Sequence, residues 1–401
     1  MGKMSKEEGS NIWELPGSHR VWTSLLFAYI LLTILPGEPT VPVGYYSGYG
    51  VAISLLLLVS LFSIYYLKVL AINSRVSSLS LVVILLYVFS GIFHLWTKEL
   101  TTLQTVSTLL IAAVTSLNVF VIPESFNLRS VAWTFSTISA ISILAGLPSY
   151  IWGDITFIGF HFSPYATPTM LPIRDGVNAY FEYMNPMNRL AVWGAISSIF
   201  LYHKYSGSIY LMVINILGVV VSSRRQTVLL LVLLLPIAVA YWRDPQRTRK
   251  WVPSYIRLTL FGGIIAYFVF IVTPLSIPMI DVGTRMPIWK EMWTTILSNP
   301  LLGTGPREFS FSPVSGYLLA GVTSGVAGLI SYLLVIVASL RRLPNPISER
   351  HLYISVMVFS MFLFQFFETY YLVGLNFDST ATAIFIGFLI NPYKITGGEE
   401  N

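Results

Sequence analysis

The residues of this chain whose chemistry calls for an explanation are arginines and a few carboxylates at the edges of strongly apolar stretches. Ser222-Ser223-Arg224-Arg225-Gln226 joins two apolar runs with almost no loop. Two adjacent arginines at a membrane edge must snorkel to the headgroups, pair with acids or face a wet cavity. A guanidinium is a planar fork of donors that stays charged when partly buried and matches phosphate oxygens two at a time. The chemistry implied is an anion clamp. A second group runs from Arg174-Asp175-Gly176 to Asn185-Pro186-Met187-Asn188-Arg189. The Asn-Pro pair reads as a turn opening a helix, with Asn188 and Arg189 in its first turn beside unpaired backbone N–H groups that favour anions. Taken alone, Asn188 reads as a cap.

A third group is Gly283-Thr284-Arg285-Met286-Pro287-Ile288-Trp289-Lys290-Glu291-Met292-Trp293, followed by Asn299-Pro300-Leu301-Leu302-Gly303-Thr304-Gly305 and Arg307. Ile288, Met292 and Ile296 have helical spacing, as do Trp289 and Trp293. The expectation is a short amphipathic helix lying on the membrane, closed by a Pro/Gly turn and able to act as a lid and lipid guide. Among the acids, Glu368 in Phe366-Phe367-Glu368-Thr369-Tyr370-Tyr371 stands out, because a carboxylate inside an apolar span is costly and a functional candidate by default. Its structural alternative is a salt bridge to an arginine, which would still draw it to the arginine cluster. Glu182 is a weaker candidate.

Other chemistries find little support. The chain has no cysteine, hence no disulfide, thiol nucleophile or thiolate-held metal. It lacks Asp-x-Asp, His-Glu-x-x-His and Gly-x-Ser-x-Gly motifs, so neither a metal nor a cofactor is expected. Gly303-Thr304-Gly305 lacks the third glycine or the Gly-Lys-Ser/Thr of a nucleotide loop. Of the five histidines, only His161 falls firmly in an external loop, and His94 reads as packed or interfacial.

The elements that must position these residues are transmembrane helices. Of the 401 residues 55% are hydrophobic and only 10% charged, which rules out a soluble or a disordered chain. Hydropathy predicts about twelve spans, near 21–36, 49–72, 78–97, 102–122, 130–152, 186–203, 206–222, 226–242, 258–280, 317–340, 352–373 and 378–392. The apolar run from Val21 carries no small-residue cleavage site and reads as an uncleaved first span. Residues 1–401 therefore form a single all-α integral membrane domain with two large external loops, 153–185 and 281–316. The net charge of +6 reports orientation rather than nucleic-acid binding. Arg243 to Lys250 is the most basic loop, and together with Arg341-Arg342 it places both termini in the cytoplasm. Sixteen of the 24 Lys and Arg residues then fall inside, and eight fall outside: Lys98, Arg174, Arg189, Arg224, Arg225, Arg285, Lys290 and Arg307. Positive charge outside works against this orientation. Its concentration on three external features suggests an anionic ligand, with a lipid phosphate or pyrophosphate foremost.

Arg285-x3-Trp289, Asn299-Pro300-Leu301-Leu302-Gly303-Thr304-Gly305 and Phe309 resemble the signature of the O-antigen ligase and O-antigen polymerase superfamily. Asn185-Pro186-Met187-Asn188, Ser223-Arg224 and Gly325-Val326-Ala327-Gly328-Leu329 are similar to its other landmarks, so the resemblance covers about residues 150–390. It implies a helical membrane enzyme of the lipid-dependent glycosyltransferase type in the cell (inner) membrane, working on the external or periplasmic face without metal or nucleotide. Such enzymes transfer glycan from a polyprenyl-pyrophosphate-linked oligosaccharide. The acceptor is a carrier-linked repeat unit in polymerases, whose products are surface polysaccharides such as lipopolysaccharide O-antigen, and lipid A core in ligases. The implied partners are that lipid-linked oligosaccharide, the lipid bilayer and a chain-length regulator, with no nucleic acid. Ligases carry a His after the Gly-x-Gly segment, where this chain has Phe311 to Leu318 and no His, which favours the polymerase. On this reading Arg174, Arg189, Arg224, Arg225, Arg285 and Arg307 bind pyrophosphate, Arg285 also acts on the departing charge, and Glu368 or Glu182 takes the acceptor's proton. The rival from another class is a transporter or flippase of an anionic lipid or sugar. It would show repeated halves and broken helices, and no repeat is visible. A scaffold subunit would leave the external arginines without a role.

Overall fold

A computed structural model describes residues 17–34, 56, 75–97, 100–125, 127–153, 155–157, 160–162, 164–165, 176–177, 184–202, 205–222, 225–273, 285–306 and 314–390. The described residues are overwhelmingly helical. In order they form α1 (Gly17–Ile34), α2 (Arg75–Trp96), α3 (Thr102–Phe120), α4 (Ile122–Ser125) and α5 (Leu128–Trp152). Four short strands follow in the first long loop: β1 (Ile155–Phe157) pairs with β2 (Phe160–Phe162), and β3 (Pro164–Tyr165) with β4 (Gly176–Val177), both antiparallel. Then come α6 (Met184–Tyr202), α7 (Ile209–Val221), α8 (Arg225–Arg243), α9 (Pro245–Val272), α10 (Arg285–Ser298), α11 (Gly316–Arg341), α12 (Glu349–Phe364) and α13 (Phe377–Ile390).

Five of these helices are long and apolar enough to cross a membrane: Val76–Trp96, Thr102–Phe120, Leu128–Ser149, Pro245–Val272 and Gly316–Arg341. Their outward faces carry Val82, Leu85, Phe89, Ile92, Leu103, Val106 and Leu258, an apolar surface that suits lipid and not water. Helices cover the other predicted spans as well, except 49–72, of which only Leu56 is described. At the centre stands α13, with all 14 of its residues buried. Such a helix, buried on every side, belongs in the middle of a bundle. It packs on α1, α3 and α12, while α5, α6 and α7 pack on one another as a second group. Small residues let that group close up. A Cβ at Gly194 would collide with Ser139 of α5, and one at Gly218 with Ile143. Ser136, Ser198 and Asn215 then bridge the three helices, Asn215 Nδ2 donating to Ser198 Oγ at 2.8 Å.

Two predicted features fold differently. The basic stretch after Arg243 is not a loop. Asp244 alone separates α8 from α9, capping the Arg247 N–H through its carboxylate at 3.0 Å, and Gln246 to Lys250 are already helical. The predicted span 352–373 is helical only to Phe364; an irregular run of backbone, 365–376, connects α12 to α13. This run carries its own satisfaction: Gly316 N–H donates to the Gln365 carbonyl at 2.8 Å, and Tyr332 hydroxyl donates to Gln365 Oε1. Irregular backbone at membrane depth is tolerated only where protein or a wet cavity surrounds it. The expected short amphipathic helix forms as α10, with one face packed on its neighbours. It runs beside the first turns of α11, with Trp289 Nε1 donating to Val314 O at 3.3 Å, Ile296 against Gly321, and Pro300 O accepting from Val326 N–H at 2.8 Å. Trp289, Met292 and Ile296 are buried there.

The segment after α10 explains the glycines. α11 breaks at Ser324 and Gly325, where φ and ψ leave the helical region and Gly325 takes φ of +72°. The loop 299–305 fills the break, with Thr304 N–H donating to Val322 O at 2.8 Å and Ser90 Oγ of α2 reaching both Leu302 O and Thr323 O. Gly303 and Gly305 also have positive φ, the left-handed conformation that side chains disfavour. His94 is buried as expected, its Nε2 3.1 Å from Gly303 O.

Charged residues gather at two opposite ends of the bundle. At one end Arg249 pairs with Glu349 at 2.6 Å, Arg257 donates to the carbonyls of Leu340 and Leu343, and Arg342 donates to Ile390 O. At the other end, eleven or more residues away along α8, α12 and α13, lies the cluster described next.

Candidate functional site

Five elements meet at this second end: the starts of α6, α8 and α10, the irregular run after α12 and the first turn of α13. Arg189 of α6 is buried among them, only 4% exposed. Its guanidinium forks onto Asp378, Nε to Oδ1 at 2.7 Å and Nη2 to Oδ2 at 2.6 Å. The remaining arm, Nη1, lies 2.9 Å from Glu368 Oε2, off the hydrogen-bond axis. The guanidinium also stands 5.4 Å from the centre of the Tyr370 ring. Asp378 sits in the first turn of α13, where a negative charge complements the helix dipole, and Asn376 Oδ1 caps that turn by accepting from Ser379 N–H at 2.8 Å.

Glu368 is the hub. While Oε2 faces Arg189, Oε1 accepts from Gln226 Nε2 at 2.7 Å and stands 3.9 Å from Arg285 Nη2. Arg285 opens α10; it donates from Nη1 to the Phe367 carbonyl and stacks over the Phe367 ring at 5.6 Å. The two arginines differ in access. The Arg189 side chain is 5% exposed and that of Arg285 is 28% exposed. Arg189 is therefore held by carboxylates, and of the two described arginines Arg285 is the more exposed.

Asn188, next to Arg189, does not cap its own helix. Its Nδ2 donates to the Ser222 carbonyl and its Oδ1 accepts from Thr227 Oγ1, all three residues being buried. Both ends of the tight turn between α7 and α8 are thereby pinned to α6, and this is the turn that carries the Arg224-Arg225 pair. Arg225 begins α8. Arg174, Glu182, Arg224 and Arg307, as well as the Arg225 side chain, lie outside the described residues.

Of the residues singled out from sequence, the structure thus brings together Arg189, Arg285 and Glu368, and the salt bridge offered as the structural alternative for Glu368 exists. Two members of the cluster do not stand out in the sequence. Asp378 reads as a polar residue at the boundary of the last span, and Gln226 as a neutral flank of the double arginine. The signal that could have found Asp378 is a carboxylate with no basic residue nearby in sequence, the one charged residue of an otherwise uncharged helix. Among the described residues, no group of three His, Asp or Glu side chains could hold a metal ion. No protein-family model matches the chain, and no curated protein matches it.

Proposed function

We propose that this chain is an integral membrane glycosyltransferase that polymerises surface-polysaccharide repeat units, taking glycan from a polyprenyl-pyrophosphate carrier and adding it to a carrier-linked acceptor. The observation that carries this reading is the pairing at one bundle end of a buried, carboxylate-locked arginine with a second arginine left accessible, Arg285. By the positive-inside rule the Arg249–Glu349 end faces the cytoplasm and the Glu368 end faces outward, across about twelve spans of the lipid-dependent glycosyltransferase type. Arg285, with Arg224, Arg225, Arg174 and Arg307 as further donors, holds the pyrophosphate.

In the transfer, the acceptor hydroxyl oxygen bonds to the anomeric carbon of the donor as the carbon–oxygen bond to pyrophosphate breaks. The bonding pair leaves with the pyrophosphate, whose growing charge falls on the arginine donors. The hydroxyl proton passes to a carboxylate, Glu368 first and Glu182 as the weaker choice. Holding donor and acceptor together supplies much of the remaining acceleration. The lid role expected of α10 is withdrawn, because its buried Trp289, Met292 and Ile296 and its stitched C-terminal loop fix it to α11.

The break in α11 is a feature shared with transporters, whose unwound helices bind cargo near the membrane midplane. Here the groups freed by the break are taken by loop 299–305 of the same chain, which favours a structural device over a transport site. The test is Arg285→Ala in purified, correctly folded protein given the lipid-linked repeat unit. The expected loss is about 10²–10³ in rate, or roughly 2–4 kcal/mol. Full activity in a folded variant would refute the assignment.

A further inference from the structure

We infer that Glu368 is a resident anion that occupies the edge of the phosphate seat at Arg285 and is displaced from it when the donor binds. This inference rests on the proposed donor chemistry and adds to it how that site is held before the donor arrives. Within the cluster, Arg189 and Asp378 neutralise one another through a two-point contact at 2.6 and 2.7 Å. Among the described residues, the charge of Glu368 also faces Arg285, and Gln226 contributes a neutral donor. The Glu368–Arg285 contact is the loosest in the cluster at 3.9 Å, against 2.9 Å from Glu368 to Arg189. It is also the one that opens outward, since Arg285 is 28% exposed and Glu368 11%.

A pyrophosphate arriving at Arg285 meets that carboxylate as a like charge a few ångströms away. It takes over the Nη2 donor, while Arg189 keeps its hold on Glu368 Oε2. Released from Arg285, Oε1 turns to the acceptor side with its partner Gln226. Donor binding and exposure of the proton acceptor are in this way one event. The exchange also keeps the charge at the seat near neutrality before the donor arrives.

The consequence is opposite to what a binding residue would show. Removing the charge of Glu368 strengthens anion binding while it destroys transfer. The experiment measures binding of inorganic pyrophosphate to the full-length protein in detergent for the wild type, Glu368→Gln, Glu368→Asp and Arg285→Gln. Glu368→Gln is close to isosteric and leaves the Arg189–Asp378 pair intact; Glu368→Asp keeps the charge that faces Arg189 while withdrawing it from Arg285. The expected result is binding about tenfold or more tighter in Glu368→Gln, from loss of a repelling charge at close range. Glu368→Asp should gain a smaller factor, Arg285→Gln should lose binding, and transfer should fail in Glu368→Gln. Unchanged or weaker binding in both Glu368 variants, with wild-type binding intact, would overturn the inference and leave the donor reading standing. Absence of pyrophosphate binding in the wild type would overturn both.

Discussion

Asp378→Asn removes half of the innermost ion pair, and its effect can be worked from the geometry. Arg189 and Asp378 are 5% and 10% exposed, so water does little to compensate either charge. Breaking a buried pair by removing one partner typically costs about 3–5 kcal/mol, because the survivor is left charged in a low dielectric. Glu368 stays 2.9 Å from Nη1 and offsets part of that charge. The lower end of the range, about 3 kcal/mol, is therefore expected, or a factor of roughly 150 in the folding equilibrium. The assay is equilibrium unfolding in mixed micelles for Asp378→Asn, Arg189→Met and the double variant. Arg189→Met leaves both Asp378 and Glu368 uncompensated and should cost at least as much. The double variant should cost less than the sum of the two by about 1–3 kcal/mol, the mark of residues that act on one another directly. If Asp378→Asn lay within about 0.5 kcal/mol of the wild type, or if the two changes simply added, the cluster would not be held by this pair and the reasoning would fail.

The same logic extends to the rest of the scaffold. Gly325→Ala puts a Cβ 2.6 Å from the Leu301 and Pro300 backbone at a φ of +72°, so it should cost about 2 kcal/mol or more and speed hydrogen exchange at the Val326 amide; an unchanged exchange rate would mean that the loop does not depend on the break. Asn188→Ala strips the Ser222 carbonyl and the Thr227 hydroxyl of their partner, and about 1–3 kcal/mol of stability should go with it, together with activity, since the double-arginine turn then loses these two ties to α6. Equal activity and stability in Asn188→Ala would show that the turn is positioned by other contacts.

Sequence patterns resolved the apolar scaffold well, because a lipid-facing or buried helix must be nearly free of charge over its whole length. The same patterns fail where backbone bonds are satisfied by distant partners. Residues 365–376 read as apolar as a helix, yet the Gln365 carbonyl and side-chain oxygens accept from Gly316 N–H and the Tyr332 hydroxyl of α11, and hydropathy does not register that. The Asn-Pro-Leu-Leu-Gly-Thr-Gly segment read as the turn closing a surface helix, although its carbonyls and amides fit a break near Gly325, about twenty residues further on. At the site, Arg189, Arg285 and Glu368 were legible because charge in an apolar context is expensive. Asp378 was not, because its partner lies 189 positions away in the chain. The most basic stretch was mistaken for a loop for a related reason: charge suggested solvent, while Asp244 and Pro245 supplied a cap and first residue for a helix that continues through it.

The central claim is glycan transfer between lipid carriers at the Arg285–Glu368 end of the bundle. Its most direct test gives purified protein one substrate, the polyprenyl-pyrophosphate-linked repeat unit, with no lipid A core, and separates the products by size. The account predicts a ladder of longer lipid-linked glycans that disappears in Arg285→Ala and in Glu368→Gln. Bound substrate without a ladder from the wild-type protein would contradict it; glycan moved to added lipid A core would then point to a ligase, and substrate moved across a vesicle membrane to a transporter.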